Sequence, residues 1–396
     1  MLTPYLPYPP SSGGQVRSYN LIKNLSKRHE IFLVSLIKND EEKKYQKKLA
    51  PFCKEVYLCK RSESPWTMSN VLKSVFGVYP FIVVRNSSPE STHVISKLLN
   101  KEKFDLIHAE TFYIMPHIPE TSVPILLVEQ TIEYKVYLHF VSKIFPLIRV
   151  LFYFDILKLQ YWERAFWKRA DLVGAVSRED EEKMRELVPD LDTTIIPNAA
   201  GEDLLKVYRE KTKDITPTFL YQGNFSWLQN IEAANILLKN IFPEIRKRIP
   251  EAHCIIAGQR AREKIGKVHE KDVEIVDISP SNVNDVMKVY KKASVFLAPI
   301  EGPGGTRLKI LGAMAAGLPV ISSRTGISGL DITDGENVII ASTPKEFADH
   351  AVKLLNDPAY YNRIKHNARK LVDTTYSWSS VSMNLEKIYK EMTYKT

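Results

Sequence analysis

One feature limits what this chain can fold into more than any other: short apolar runs rich in β-branched residues alternate with longer amphipathic stretches. The first series is "IFLVSL" at 31–36, "FDLIHA" at 104–109, "PILLV" at 124–128, "DLVGAVS" at 171–177 and "TTIIPN" at 193–198. A second follows, with "TFLYQGN" at 218–224, "HCIIAGQ" at 253–259, "VEIVDI" at 273–278, "ASVFLAPI" at 293–300 and "LPVISS" at 318–323. Near-continuous apolar runs of this length read as strands of a parallel sheet buried on both faces. The stretches between them, such as Ile231–Arg248, Asn284–Lys292 and Pro344–Asn356, read as crossover helices.

Strand, helix and strand in repeated order predict an α/β chain with a doubly wound sheet, and two series predict two Rossmann-like domains facing across a cleft. The polar stretch "GEDLLKVYREKTKDITP" at 201–217 marks the seam, giving domains at 1–205 and 206–375. A chain of 396 residues is long enough for two cores. The opening "MLTPYLPYPPSSGG" leaves room only for a stub of strand before its prolines. Either the first strand is short or the chain begins at an internal methionine of a longer frame.

Hydrophobic residues make up 44% of the chain and charged residues 26%, which excludes disordered and fibrous classes. The net charge of +9 is spread along the chain with no basic tail. Such diffuse charge most often marks a solvated surface, and after that an anionic membrane face or phosphate-bearing substrates, with nucleic acid a distant third. The three cysteines, Cys53, Cys59 and Cys254, form no C-x-x-C pair and have no histidine cluster beside them, which predicts a reducing, cytoplasmic setting and no metal site. The aromatic-rich "IFPLIRVLFYFDILKLQYW" at 144–162 is broken by Arg149, Asp155 and Lys158. It reads as an amphipathic helix, with its apolar face either in the core or on a lipid surface.

Doubly wound sheets bind ligands beyond the carboxyl ends of their strands, and three glycine turns fall there. The first is "EGPGGTRLKILGAMAAGLPV" at 301–320, where Gly304, Gly305 and Thr306 open a helix whose apolar stripe is Leu308, Leu311, Ala315 and Leu318. Unpaired amides at a helix start attract anions. Arg307 and Lys309 in the first turn oppose the helix dipole, so a negative ligand such as a diphosphate is expected beside them. Gly312 lies inside that helix on one face with Gly305, Lys309 and Ala316. A glycine there costs ~1 kcal/mol relative to alanine, so it is either tolerated or makes room for a ligand or another backbone.

The second turn, Gly13-Gly14, leads into a helix carrying Arg17. The third is Gly223-Asn224, at the end of the strand that opens the second series. His108 and Glu110, then Glu129, Gln130 and Glu133, also follow strand ends, but their spacing alone makes no general-base constellation.

Together these residues carry a resemblance. "GGTRLKILGAMAAGLPVISS" with "DITDGENVII" after it, and "AFWKRADLVGAVSREDEEKM" and "TIIPNA" before it, is similar to glycosyltransferase family 4, in the subgroup with a Gly-Gly-Thr-Arg-Leu-Lys loop. The resemblance implies a GT-B fold, an acceptor-side domain at 1–205 joined by a C-terminal helix at 376–396 that crosses back, and a donor domain at 206–375. It implies a metal-independent hexosyltransferase that moves a sugar, with retention, from a nucleotide diphosphate sugar to a glycan or lipid-linked acceptor in surface polysaccharide synthesis. No cofactor is implied, and peripheral contact with the inner membrane face is the accompanying expectation. Arg307 and Lys309 would stabilise the leaving diphosphate. Gly13, Gly14, Gly223, Asn224, Gly304, Gly305, Thr306 and Gly312 would line the donor, and Arg17, Glu110 and Glu133 the acceptor side.

The sequence also departs from the family pattern. Glutamates common in this loop and helix are replaced by Gly304 and Gly312, and the second of them would hold the donor ribose. An Arg and a Lys common after the strand that opens the donor domain are replaced by Asn224 and Asn230, and a histidine beside the transferred sugar by Gln130. These departures leave an alternative open: a catalytically weakened relative that binds nucleotide sugars or partners.

Overall fold

The computed structural model describes residues 1–142, 146–208, 217–266, 270–279, 282–302 and 308–394. The chain divides into two units, Met1–Pro197 with Ser382–Thr396, and Asn198–Val381. Each is built around its own parallel sheet.

In the first unit the strands are β1 (Leu2–Thr3), β2 (Phe32–Ile37), β3 (Glu55–Lys60), β4 (Ile107–Glu110), β5 (Ile125–Glu129), β6 (Leu172–Ala175) and β7 (Thr193–Ile195). They pair in the order β3-β2-β1-β4-β5-β6-β7. The stub strand is β1, and it is central: Leu2 pairs with Val34 on one side and Ala109 on the other. The strand order reverses on either side of β1, so the switch point lies between β1 and β4. Leu33, Leu36, Leu126 and Leu127 have no exposed surface, as expected for strands covered on both faces.

The second unit contains β8 (Thr218–Asn224), β9 (His253–Gln259), β10 (Val273–Asp277), β11 (Val295–Ala298), β12 (Val320–Ser322) and β13 (Ile339–Ile340), in the order β10-β9-β8-β11-β12-β13. Its switch point lies between β8 and β11. Phe219, Tyr221, Phe296, Leu311 and Met314 fill its core. The stretch read as one helix, 231–248, is helical throughout but changes pitch: Leu228–Ile236 is α-helical, Leu237–Ile241 a π turn and Phe242–Arg248 α-helical again.

The helix Pro146–Arg169 covers the amphipathic run, with Ile156, Leu159 and Trp167 buried. Phe154, Leu157 and Tyr161 on the same helix stay exposed. Among the described residues no helix is long and apolar enough to cross a membrane.

Candidate functional site at the strand ends of both units

In the first unit, β1 ends at Thr3, and Ser12 caps the helix Gly13–Leu25 from extended backbone, its hydroxyl accepting from the Gln15 amide. Gln15 ties this entry loop down by donating from Nε2 to the Leu6 carbonyl at 2.9 Å. Gly14 is a packing requirement: a Cβ there would lie 2.0 Å from the Tyr5 hydroxyl and 2.8 Å from Gln130 Oε1. Those two side chains meet over the glycine, with Gln130 Nε2 and the Tyr5 hydroxyl 2.8 Å apart.

Below them lies a buried charged network. Glu110, the last residue of β4, accepts from Gln130 Nε2 at 2.8 Å and from Arg17 Nε at 3.3 Å. Arg17 also donates to the carbonyls of Ile196 and Pro197, both at 3.1 Å. The side chains of Arg17 and Glu110 are 0% exposed, so neither presents surface to an acceptor; they orient Gln130. His108 closes the network, with Nε2 3.2 Å from Glu110 and Nδ1 2.5 Å from the Tyr389 hydroxyl on the helix Trp378–Tyr394. Burial pushes the Glu110 carboxyl upward, but the Arg17 guanidinium and the hydrogen bonds from His108 and Gln130 outweigh it and hold the group at about 2. Burial lowers His108, so at neutral pH the charge that keeps Glu110 ionised is Arg17's.

A second acidic group follows β5. Trp167 Nε1 donates to Glu129 Oε1 at 3.0 Å, and Glu163 accepts the Glu133 amide at 2.7 Å at the start of the helix Glu133–Ser142. Burial raises all three carboxyls, Glu133 to about 7, with Arg85 pulling Glu133 back down. Glu133 therefore sits near half-ionisation at neutral pH, unlike Glu110.

In the second unit the corresponding place is the end of β8. The bare face of Gly223 is taken by Asn230, whose side chain would be 3.1 Å from a Cβ there. Asn230 Nδ2 donates to the Asn224 carbonyl at 2.7 Å, and its Oδ1 accepts from the Tyr221 hydroxyl at 3.1 Å. Asn224 folds inward, its amide donating to Gln259 Oε1 at 3.1 Å.

Lys309, in the first turn of the helix Leu308–Ala316, joins this group. Its Nζ donates to Asn230 Oδ1 and lies 3.3 Å from the Tyr221 hydroxyl and 5.1 Å from the Tyr221 ring centre. A cation thus stands at the carboxyl end of β8, with Asn230 and Tyr221 among its partners. Gly312, on the same helix, is buried, and a Cβ there would meet Leu204 Cδ1 at 2.8 Å and the Tyr290 hydroxyl at 3.5 Å. The close approach that this glycine permits is that of Leu204. Gly304, Gly305, Thr306 and Arg307 lie outside the described residues.

Gly13, Gly14, Arg17, Glu110, Gln130 and Glu133 thus gather at the carboxyl ends of β1, β4 and β5, and Gly223, Asn224 and Lys309 at that of β8. Residues that sequence reasoning did not single out are Tyr5, Tyr221 and Tyr389, the hydroxyls that bind Gln130, Asn230 and His108. Tyr5 stood in "MLTPYLPYPP", where prolines advertise a turn but not a buried phenol. Tyr389 comes from the far end of the chain, 281 residues from its histidine.

Residues 11–201 match the family model described as Glycosyltransferase Family 4, and residues 216–357 the one described as Glycosyl transferases group 1. An "Uncharacterized 44.6 kDa protein in cps region" of Klebsiella pneumoniae is 23% identical, the match covering 97% of each chain. Among solved structures, sucrose-phosphate synthase from Thermosynechococcus elongatus is 16% identical with a TM-score of 0.70, covering 100% of this chain and 99% of that one. Anabaena HepE, solved with UDP and glucose, is 13% identical with a TM-score of 0.64 and 98% coverage of both chains. With its first and second units matched in turn by these models, and its two parallel sheets shared with GT-B neighbours, the chain belongs to glycosyltransferase family 4.

Proposed function

We propose that this glycosyltransferase moves a hexose from a nucleotide diphosphate sugar to a lipid-linked or glycan acceptor in surface polysaccharide synthesis, with retention and without a metal.

 The donor would sit at the carboxyl end of β8, and the observation that carries this is Lys309, a cation placed there on Asn230 and Tyr221. With Arg307 it would neutralise the departing diphosphate, the part a metal ion plays elsewhere. The bond from the anomeric carbon to the phosphate oxygen breaks, the bond to the acceptor hydroxyl forms on the same face, and the leaving phosphate takes the acceptor's proton. The UDP bound to HepE and the cps-region name of the Klebsiella relative support this choice of donor and pathway class.

A lipid-linked acceptor and a membrane face are supported by an apolar surface on the first unit. The helices Met68–Phe76 and Pro146–Arg169 lie side by side, Lys158 Nζ donating to the carbonyls of Ser74 at 2.6 Å and Gly77 at 2.7 Å. Met68, Phe76, Phe154, Leu157 and Tyr161 on them, and Val78 just beyond the first, are each more than 60% exposed.

Donor turnover measured across uridine, guanosine and adenosine diphosphate sugars, in chelator, tests the reading. One donor is expected to be consumed, with Arg307→Ala at least about tenfold slower, the loss of one charge-assisted contact. Near-normal turnover in that variant, or dependence on added metal, contradicts it. The weakened-relative reading is favoured by one observation, Leu204 packed where a ribose-holding carboxylate would stand, and it predicts nucleotide sugar binding without turnover on any acceptor.

A further inference from the structure

Two arginines in the first unit have no ion-pair partner among the described residues. Arg61 directly follows β3, and Arg85 ends the helix Phe81–Arg85. The Nε atoms of both are buried and have no hydrogen-bond partner, while the side chains as a whole are half-buried and so remain within reach of solvent. Among the described residues neither guanidinium lies within ion-pair distance of a carboxylate. Burial and the positive charge of Arg85 lower Arg61, while Tyr113 and Glu42 pull it the other way. Placing two like charges together and withdrawing their donors from water is costly unless an anion completes the set.

The surroundings limit that anion. Tyr113 follows β4 and Tyr137 lies on the helix Glu133–Ser142, both within electrostatic reach of Arg85. Burial raises Glu133 to about 7, with Arg85 pulling it back down, so this acid is only about half-ionised at neutral pH. Thr111, between Glu110 and this group, holds a φ of 74°, a left-handed backbone rare for a β-branched residue and typical of functional sites.

The arginine helix is rigidly placed. Asp155 Oδ1 accepts from the Phe81 amide and the Ser74 hydroxyl, both at 2.8 Å, which ties the helix to Pro146–Arg169. Trp66 stacks on Phe81 with ring centres 4.5 Å apart, so the exposed apolar surface continues up to the arginine helix.

We propose that Arg61 and Arg85 form a binding site for a phosphoryl group of the acceptor, whose apolar tail runs over the exposed surface of the helices Met68–Phe76 and Pro146–Arg169. Paired guanidinium forks suit phosphate oxygens better than a point charge does. The proposal rests on the transferase reading, from which it takes the word acceptor.

The test is calorimetry on the full chain with hexyl phosphate, hexyl glucoside and inorganic phosphate, in wild type, Arg61→Gln and Arg85→Gln, with a nucleoside diphosphate titrated separately. Hexyl phosphate is expected to bind wild type and to bind each variant at least about tenfold more weakly, as befits one charge-assisted contact. Nucleoside diphosphate affinity should not change, and melting should stay level or rise as like-charge repulsion is relieved. Equal, arginine-dependent binding of inorganic phosphate supports the site with a free anion as its source, whereas preference for hexyl phosphate supports a lipid headgroup. Hexyl glucoside binding as tightly as hexyl phosphate, or unchanged hexyl phosphate affinity in both variants, overturns the proposal. Should either variant fail to fold, the wild-type contrast between the two hexyl ligands decides alone. Absence of nucleoside diphosphate binding with the arginine dependence intact would refute the donor reading and leave this site standing.

Discussion

The strand ends of the two units solve the same problem with opposite chemistry. In the first, a fully buried Arg17–Glu110 pair holds Gln130, His108 and Tyr389 in one network, and charge serves as internal scaffolding. In the second, Tyr221, Asn224 and Asn230 form a neutral hydrogen-bonded group, and Lys309 donates to Asn230 Oδ1 beside the Tyr221 ring. A charge already paired inside the protein, as Arg17 is with Glu110, has little left for a ligand. On the proposed function, the first set serves stability and the second donor binding.

The largest expected effect comes from breaking the first scaffold. Arg17→Met leaves Glu110 buried without its counter-ion, and the loss should be about 3–5 kcal/mol in the first unit. Denaturant unfolding followed by hydrogen exchange in each unit checks this: exchange should accelerate in β4 and β5 and stay unchanged in β8 and β9. A uniform change would deny that the network belongs to one unit.

A smaller effect sharpens the contrast within the first unit through pH. The Glu129, Glu133 and Glu163 carboxyls are raised above the ordinary value of 4.5 by burial. Their contribution to stability is therefore complete below that pH and lost as pH rises through the raised values. Glu110 is lowered to about 2, so its contribution is complete above 4.5 and lost as pH falls toward that value. Glu163→Gln should flatten much of the alkaline decline in melting temperature while leaving the acid limb in place. An unchanged alkaline limb would mean that the acidic group does not carry it.

The smallest effect is at Gly312→Ala. Helix propensity favours alanine by ~1 kcal/mol, and the new Cβ needs only the terminal methyl of Leu204 to move. Stability of the second unit should change by less than about 1 kcal/mol, measured by thermal unfolding. A larger loss would show that the helix cannot yield at this face.

Much of the fold was legible because buried parallel strands write themselves as apolar runs: β8 and β9 coincide with "TFLYQGN" and "HCIIAGQ" residue for residue. The strand β3 was missed because "EVYLCK" lies at the sheet edge, mostly half-buried, and carries charge at both ends. β13, two residues long, is too short to leave a pattern. At the candidate site, spacing found the glycine turns and Lys309, whose signals are local. It missed that Arg17 and Glu110 neutralise one another, because 93 residues separate them and no periodicity links a helix to a strand end so far away. Gly312 was read as room for a ligand or backbone, and the neighbour turned out to be a leucine from the helix Glu202–Leu205.

The central claim is that the donor diphosphate is bound at the end of β8 by Lys309. Calorimetric titration of uridine, guanosine and adenosine diphosphates into wild type and Lys309→Met tests it most directly. Tyr221 still donates to Asn230 in the variant, so melting should not change. The account predicts one nucleotide bound by wild type and at least about tenfold weaker binding by the variant, the loss of one charge-assisted contact. Equal affinities in two equally stable proteins would contradict it.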